Sequence, residues 1–252
     1  MSGRLKSKIA FVTGAGSGIG RSAAIGFAKE GATVIINDLD REGGQETLND
    51  LKKICSSASF YSADVANFSQ MENLFEGIID KHGRIDIGFN NAGVPGITGV
   101  LTADYDEEDW HRVVAVNLKG IFLSMKFELK IMLQRKSGVI VNTSSVVGMG
   151  GFRGCPAYVA TKHGIIGLTR AAAIEYAQSG IRINAVCPGF VRTPLLGLRD
   201  DEHESNISRR VPLGRVAEPE EIAEAVMWLC SDEASYVAAH PLLVDGGVLA
   251  QI

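Results

Sequence analysis

The chain has 252 residues, of which 46% are hydrophobic and 21% charged, the composition of a soluble globular protein. Its net charge of −4 gives no reason to expect nucleic acid or an anionic membrane surface as a partner. The lack of a signal peptide and of an apolar stretch near ~18 residues predicts a cytoplasmic protein that does not cross a membrane. The four scattered cysteines predict reduced thiols and no metal site.

Apolar, β-branched runs alternate with amphipathic stretches, which is typical of a parallel sheet with helices on both faces. We predict strands at 9–13, 33–37, 59–62, 85–90, 138–144, 181–187 and 242–244. The intervening helices are predicted at 18–30, 41–54, 69–82, 107–134, 157–178 and 220–229. No linker or repeat divides the chain, so residues 1–252 are predicted to form one α/β domain, a doubly wound Rossmann-like sheet.

One segment, at about 190–217, breaks this alternation. It joins the sixth strand to the last helix and mixes leucines (Leu195, Leu196, Leu198) with a charged patch at 199–204. Loops of this length inside compact domains are uncommon and often cover active sites. The leucines favour a substrate lid over the alternative, a disordered surface insertion.

A glycine-rich turn follows the first strand and opens the first helix. It has the spacing TGxxxGxG, formed by Thr13, Gly14, Gly18 and Gly20, and not the common GxGxxG. Glycines allow the backbone to turn sharply and approach a pyrophosphate, which then lies at the helix N-terminus. This turn predicts dinucleotide binding.

Asp38 ends the second strand, where an acidic side chain can accept hydrogen bonds from the adenosine ribose. Its carboxylate would repel the additional phosphate of NADP, and neither Ser17 nor Leu39 supplies a positive charge to bind it. Asp38 therefore predicts NAD as the cofactor. The alternative is a structural role as the N-cap of the helix that starts at Arg41.

Tyr158 and Lys162 are four residues apart on a predicted helix, so both side chains point into the same space. A free tyrosine has a pKa near ~10, and a nearby cation favours the phenolate. Ser145 follows the fifth strand, at the sheet edge where ligands bind, and can hold a substrate oxygen while Tyr158 exchanges the proton. Ser144 is the neighbouring alternative for that role.

These features together resemble the short-chain dehydrogenase/reductase family, in its short single-domain form, over nearly the whole chain. The segment Asn90-Asn91-Ala92-Gly93 and the residue Asn117 match further family motifs. The thirteen-residue step from Ser145 to Tyr158 matches the family better than a step from Ser144. The resemblance implies cofactor contacts from Gly14, Ser17, Gly18, Ile19, Gly20, Asp38, Asp64, Val65, Asn91, Ala92, Gly93, Tyr158, Lys162, Pro188, Gly189, Val191 and Thr193.

The resemblance also implies a mechanism in which a hydride passes directly between NAD and a substrate carbon. In it, Ser145 binds the substrate oxygen and Tyr158 gives or takes its proton. Lys162 lowers the Tyr158 pKa and binds the nicotinamide ribose, and Asn117 connects Lys162 to solvent through a water. The cofactor supplies the redox chemistry, and the protein supplies geometry and proton transfer.

The expected substrate is a hydrophobic secondary alcohol or ketone, cyclic or aromatic. The candidate substrate contacts besides Ser145 and Tyr158 are Val147, Met149, Phe152 and Leu195. The alternative is a 3-oxoacyl-thioester (acyl-carrier-protein) reductase, although those enzymes usually prefer NADPH, which Asp38 opposes. Enoyl reductases normally separate the tyrosine and lysine more widely than this chain does.

The resemblance implies that the long helices at 107–134 and 157–178 pair across subunits, so we expect a homotetramer, with a dimer second. The chain departs from the family before its last strand. Family members commonly have a Thr-Gly pair after the residue that matches Val237, where this chain has Ala238-Ala239-His240-Pro241. That strand lies at a subunit contact in many relatives, and the departure leaves the chemistry untouched.

Overall fold

The structure is a computed structural model that describes residues 3–251. A parallel sheet of seven strands runs through this part of the chain, in the order β3-β2-β1-β4-β5-β6-β7. Its fold class is the predicted one. The strands are β1 (Ile9–Thr13), β2 (Thr33–Asn37), β3 (Ser59–Tyr61), β4 (Ile87–Asn90), β5 (Gly138–Thr143), β6 (Ile181–Pro188) and β7 (Pro241–Val244).

Helices cover both faces of the sheet, because the buried strands present apolar side chains on each side. One hydrophobic cluster packs α1, α2 and α8 against one face, and a second packs α3, α5 and α6 against the other. The helices are α1 (Gly18–Lys29), α2 (Arg41–Lys52), α3 (Phe68–His82), α4 (Glu107–Val113), α5 (Gly120–Arg135), α6 (Pro156–Tyr176), α7 (Asp201–Ser208) and α8 (Pro219–Cys230).

The predicted elements agree with these bounds within two residues at either end, with one exception. The segment expected as one helix at 107–134 is helical throughout, but it is not a single α-helix, because a π-helical segment, Val114–Lys119, lies between α4 and α5. Asn117 lies in this segment and is fully buried. The hydrophobic pattern of the sequence does not reveal this π-helical segment. A π-helical turn alters the backbone hydrogen bonds but leaves the spacing of apolar residues nearly unchanged.

The segment expected as a lid has secondary structure of its own. Val191 and Ala217 form a parallel bridge at its two ends, and α7 lies between them. Arg192 donates hydrogen bonds to Glu204 on α7 and to Glu218 at the start of α8. Part of the charged patch thus lies on a helix that the sequence pattern did not predict. The role of the segment as a lid stays a prediction.

The strand order reverses direction between β1 and β4. In doubly wound sheets the loops on the two sides of such a switch point leave in opposite directions and open a crevice at the carboxyl ends of the strands. The fold therefore places a cleft beside Thr13 and Asn90, the last residues of β1 and β4. Within residues 3–251, no helix has the length and apolar content needed to cross a bilayer.

Candidate active site

A cavity of about 350 Å³ opens at this switch point. It brings together the glycine turn, the end of β2 and the Ser145–Lys162 region. Of the residues predicted for the site, those that line it are Gly14, Ser17, Gly18, Ile19, Asp38, Asp64, Val65, Asn91, Ala92, Gly93, Ser145, Tyr158, Lys162, Pro188, Gly189, Val191, Thr193 and Leu195.

Ser144, the alternative to Ser145, and Leu196, a candidate in the expected lid, also line the cavity. Further lining residues were not predicted: Asn37, Leu39, Ala63, Val94, Val116, Thr143 and Pro194. Several of them could have been found from the sequence. Asn37 and Thr143 are the last residues of β2 and β5, and Ala63 follows β3 closely. The carboxyl ends of parallel strands share one edge of the sheet, so each strand end was a candidate.

Some predicted site residues do not line the cavity. Gly20 and Asn117 are buried behind it, and Val147, Met149 and Phe152 lie outside it. Met149 and Phe152 are each 40% exposed, and the Phe152 ring lies 5.1 Å from the Arg210 guanidinium. The structure therefore does not bring these three side chains to the reaction centre, and their substrate contacts stay predictions.

The glycine turn has the shape of a phosphate cradle. Gly14 has a φ of +64°, and a Cβ there would lie 2.7 Å from the Ala92 Cα, so only glycine fits. Ser17 precedes α1 without a side-chain hydrogen bond to the first turn. The first N–H groups of a helix have no partner within it. The residues at the start of α1, Ser17, Gly18 and Ile19, line the cavity. Unpaired N–H groups at a helix N-terminus favour a bound phosphate.

Asp38 is half-buried beside this turn. Its Oδ2 accepts a hydrogen bond from the Gly16 N–H at 2.7 Å, and its Oδ1 accepts one from the Asp40 N–H at 2.9 Å. Asp40 is the N-cap of α2, because its side chain accepts from the Glu42 N–H. The alternative role for Asp38 as that N-cap is therefore wrong, and its carboxylate stays at the cavity wall.

Asn91 joins the loop after β4 to the glycine turn. Its Nδ2 donates to the Gly14 carbonyl at 3.2 Å, and its Oδ1 accepts from the Thr143 hydroxyl at 3.3 Å. The Thr13 hydroxyl accepts from the N–H groups of Asn91 and Ala92, at 3.0 and 3.1 Å. These bonds hold three strand ends together around the cavity.

The two neighbouring serines have different surroundings. The Ser144 hydroxyl is buried and donates to the Lys162 carbonyl at 2.8 Å. Ser145 hydrogen bonds through its side chain to Tyr158, and its Oγ also accepts from the Val147 N–H at 3.3 Å. The structure therefore pairs Ser145 with the phenol and ties Ser144 to the helix backbone.

Tyr158 and Lys162 lie on the first turns of α6, which begins with Pro156. The Lys162 Nζ lies 5.3 Å from the centre of the Tyr158 ring and donates to the Thr143 carbonyl at 2.9 Å. Lys162 is 3% exposed, and burial lowers its pKa to about 8.

The expected lowering of the Tyr158 pKa by Lys162 is not found. Burial raises the pKa of Tyr158 to about 12, and the hydrogen bond with Ser145 opposes that rise. Lys162 contacts the ring but is not among the groups that set this pKa. The physical reason is that desolvation penalises both the phenolate and the ammonium, so each member of the pair is held nearer its neutral form.

Asn117 pairs with the backbone of Val94 as a second peptide group would. Its Oδ1 accepts from the Val94 N–H at 2.8 Å, and its Nδ2 donates to the Val94 carbonyl at 2.9 Å. Its Nδ2 also reaches the Thr161 hydroxyl at 3.4 Å. Asn117 thus links the π-helical segment to the cavity wall and to α6. Among residues 3–251, no cluster of His, Cys, Asp or Glu side chains could hold a metal ion.

Comparison with known proteins agrees with this geometry. A family described as enoyl-(acyl carrier protein) reductase matches residues 14–249. Cyclohexanol dehydrogenase of Acinetobacter sp. is 39% identical over 98% of this chain and 96% of its own length. The 3-oxoacyl-(acyl-carrier-protein) reductase FabG of Thermotoga maritima is 39% identical over 98% of this chain and 99% of its own.

Solved structures agree as well. Levodione reductase superposes with a TM-score of 0.94 at 36% identity, covering 98% of this chain and 100% of its own. A variant of actinorhodin polyketide ketoreductase with NADPH superposes with a TM-score of 0.92 at 38% identity, covering 96% of this chain and 97% of its own. The chain belongs to the short-chain dehydrogenase/reductase family. It is an oxidoreductase of a family that binds nicotinamide cofactors.

Proposed function

We propose that the chain transfers a hydride between NAD(H) and a secondary alcohol or ketone, with Tyr158 as the acid/base. One observation carries the proposal: a single cavity is lined by the uncapped start of α1, by Asp38, and by Ser145, Tyr158 and Lys162. A nucleotide site and a proton-transfer group that share one cavity suit a dehydrogenase.

The residues of the cradle fit a dinucleotide, because a side chain at Gly14 would fill the space in which the turn meets Ala92. The first turn of α1 would hold the pyrophosphate and Asp38 the adenosine ribose. NAD is proposed over NADP, because Lys162 is the one basic residue among the described cavity-lining residues. No described lining residue beside Asp38 could therefore neutralise a 2′-phosphate.

The residues at the other end of the cavity would bind the substrate and transfer its proton. Bound NAD would supply the hydride acceptor and a positive charge. Ser145 would hold the substrate oxygen, and Tyr158 would exchange its proton at the phenol oxygen. Because burial disfavours the phenolate, we expect the rate of alcohol oxidation to rise with pH above neutrality. Lys162 would bind the ribose, and Asn117 would connect Lys162 to solvent.

A hydrophobic, cyclic or aromatic substrate is proposed, because the cavity that Tyr158 lines also has apolar walls. Val94, Pro194, Leu195 and Leu196 form part of its wall. Two of the similar proteins are named for cyclic alcohols, cyclohexanol and borneol. Reduction of a 3-oxoacyl thioester is the second candidate, because FabG is as similar to this chain as cyclohexanol dehydrogenase is. The four-residue step from Tyr158 to Lys162 favours carbonyl chemistry over enoyl reduction.

A homotetramer is proposed because exposed apolar side chains lie on the helices expected to pair. Phe122 and Leu133 on α5 are 47% and 37% exposed, and Ile174 on α6 is 77% exposed. Apolar side chains at this level of exposure on two neighbouring helices favour burial against a second subunit.

The test is a screen of cyclic and linear secondary alcohols, with an acetoacetyl thioester, using NAD and NADP. Tyr158→Phe should lower turnover by at least ~10²-fold while NAD binding, measured by calorimetry, is retained. Ser145→Ala should lower turnover strongly. The matched variant Ser144→Ala should lose far less turnover, because the Ser144 hydroxyl of wild type donates to the backbone of α6. Substantial turnover by Tyr158→Phe would contradict the assignment.

A further inference from the structure

A buried carboxyl group outside the predicted site carries the inference. Glu128 on α5 is 0% exposed. Its Oε2 accepts a hydrogen bond from the Asn90 Nδ2 at 3.0 Å, and its Oε1 has no hydrogen-bond partner among the described residues. Oε1 lies against Gly88, where a Cβ would be 2.2 Å away. The strand therefore uses a glycine to make room for this carboxyl.

Glu128 is the end of a chain of buried amides. The Asn90 Nδ2 also donates to the Asn142 Oδ1 at 3.0 Å. The Asn142 Nδ2 donates to the Thr169 hydroxyl on α6 at 2.9 Å and to the Met125 Sδ on α5 at 3.1 Å. The network thus ties β4 and β5 to the helices on one face of the sheet. The side-chain nitrogens of Asn90 and Asn142 each donate both of their hydrogens within this network.

This network lies one residue below the active site. Asn90 and Asn142 are paired in register across β4 and β5. The next residues along these strands, Asn91 and Thr143, are joined by a hydrogen bond of 3.3 Å. Thr143 also holds the Lys162 Nζ through its carbonyl. The buried pair therefore sets the spacing of the strand ends on which the cavity wall is built.

We propose that Glu128 is a positioning residue for this site and that it works as the neutral acid. The proposal rests on the proposed function for its catalytic readout. An ionised carboxylate here would be a buried charge with a single hydrogen bond, which is a costly arrangement. Its network partners Asn90, Asn142, Thr169 and Met125 do not titrate at accessible pH.

The electrostatics of the buried group agree with this. Burial raises the pKa of Glu128 to about 7, and the hydrogen bond from Asn90 opposes the rise. No ionised side chain contributes to this pKa within residues 3–251. The folded protein thus binds a proton more tightly than the unfolded chain does. Stability from this group is fully present below the ordinary pKa of 4.5 and is lost as pH rises to about 7.

The first experiment compares Glu128→Gln, which is neutral and keeps an acceptor for Asn90, with wild type by urea unfolding from pH 4.5 to 8. Wild type should lose stability relative to Glu128→Gln as pH rises to about 7, with a constant difference above that pH. Glu76→Gln, on the exposed side of α3, is the control and should show no such change. Parallel profiles for wild type and Glu128→Gln would overturn the neutral-acid assignment.

The second experiment measures turnover of the alcohol that wild type oxidises. Glu128→Gln should keep kcat within about threefold at pH 6, where the carboxyl of wild type is mainly protonated. Glu128→Met, which has no acceptor for Asn90, should lose about tenfold or more in kcat with its melting temperature at pH 8 retained, because small misplacements of a site cost large factors in rate. Equal losses in both variants, or none in Glu128→Met, would overturn the positioning role. If wild type oxidises nothing, the proposed function fails, whereas the unfolding profiles still test Glu128.

Discussion

Replacing Lys162 with methionine should stabilise the fold while abolishing activity. Burial lowers the pKa of Lys162 from 10.5 to about 8. That difference means that folding disfavours the ammonium form by ~3 kcal/mol well below pH 8. Methionine has a similar length and no charge. It loses the hydrogen bond to the Thr143 carbonyl, worth ~1–2 kcal/mol. We therefore expect Lys162→Met to raise the free energy of unfolding by ~1–2 kcal/mol at pH 7.

The sign of the pH dependence gives a second signature. Between pH 8 and 10.5 the folded state binds fewer protons at Lys162 than the unfolded chain does, so wild type gains stability as pH rises. The methionine variant lacks this gain. Its advantage over wild type should therefore shrink by ~2 kcal/mol between pH 7 and pH 10.

The assay is urea unfolding of wild type and Lys162→Met at the two pH values, together with turnover. Lys52→Met, at an exposed position at the end of α2, is the control and should change stability by less than ~0.5 kcal/mol. Turnover of Lys162→Met should fall by at least ~10²-fold. If the variant is less stable than wild type at pH 7, or if the difference does not change with pH, Lys162 does not carry the buried charge that this reasoning assigns to it.

Three further predictions concern the cofactor, the backbone and the assembly. Wild type should favour NAD over NADP by at least ~10-fold in kcat/KM, or ~1.4 kcal/mol, and Asp38→Ala should erode that preference; equal use of both by wild type would contradict it. Ala239 has a φ of +59°, so Ala239→Gly should raise the free energy of unfolding by ~1 kcal/mol in thermal or urea unfolding, and a loss of stability would contradict the strain. Light scattering at micromolar concentration should give a tetramer, and the 26.9 kDa of a monomer would refute this.

The local sequence pattern determined most of the secondary structure of this protein and the place of its nucleotide-binding turn. The alternation of apolar runs and amphipathic stretches predicted the strands and most helices, because strand and helix periods are properties of short segments. The glycine turn and Asp38 could be located in the same way, since each follows a strand whose carboxyl end faces the crevice. The strain at Ala239 lies where the family resemblance indicated a departure from glycine.

Tertiary structure decided what depends on partners distant in sequence. The sequence left Asp38 as either a ribose contact or the N-cap of α2. The structure decides between them, because the Gly16 N–H binds the Asp38 carboxylate at the cavity wall and Asp40 caps the helix. Helix α6 also gives Ser144 and Ser145 different partners, the Lys162 carbonyl for Ser144 and the Tyr158 side chain for Ser145. The raised pKa of Tyr158 reverses the sequence-based expectation, because spacing conveys the nearby cation and not the loss of water.

Glu128 shows most clearly that the environment of a residue depends on partners distant in sequence. In the sequence it is one charged residue on a helix, where a solvated position is the ordinary outcome. Its burial results from Gly88 and Asn90 on a strand about forty residues earlier, which supply the space and the hydrogen bond. Local chemistry therefore determined which elements form and where ligands can approach, whereas the environment of each ionisable group depended on packing, because desolvation is set by every neighbour in space.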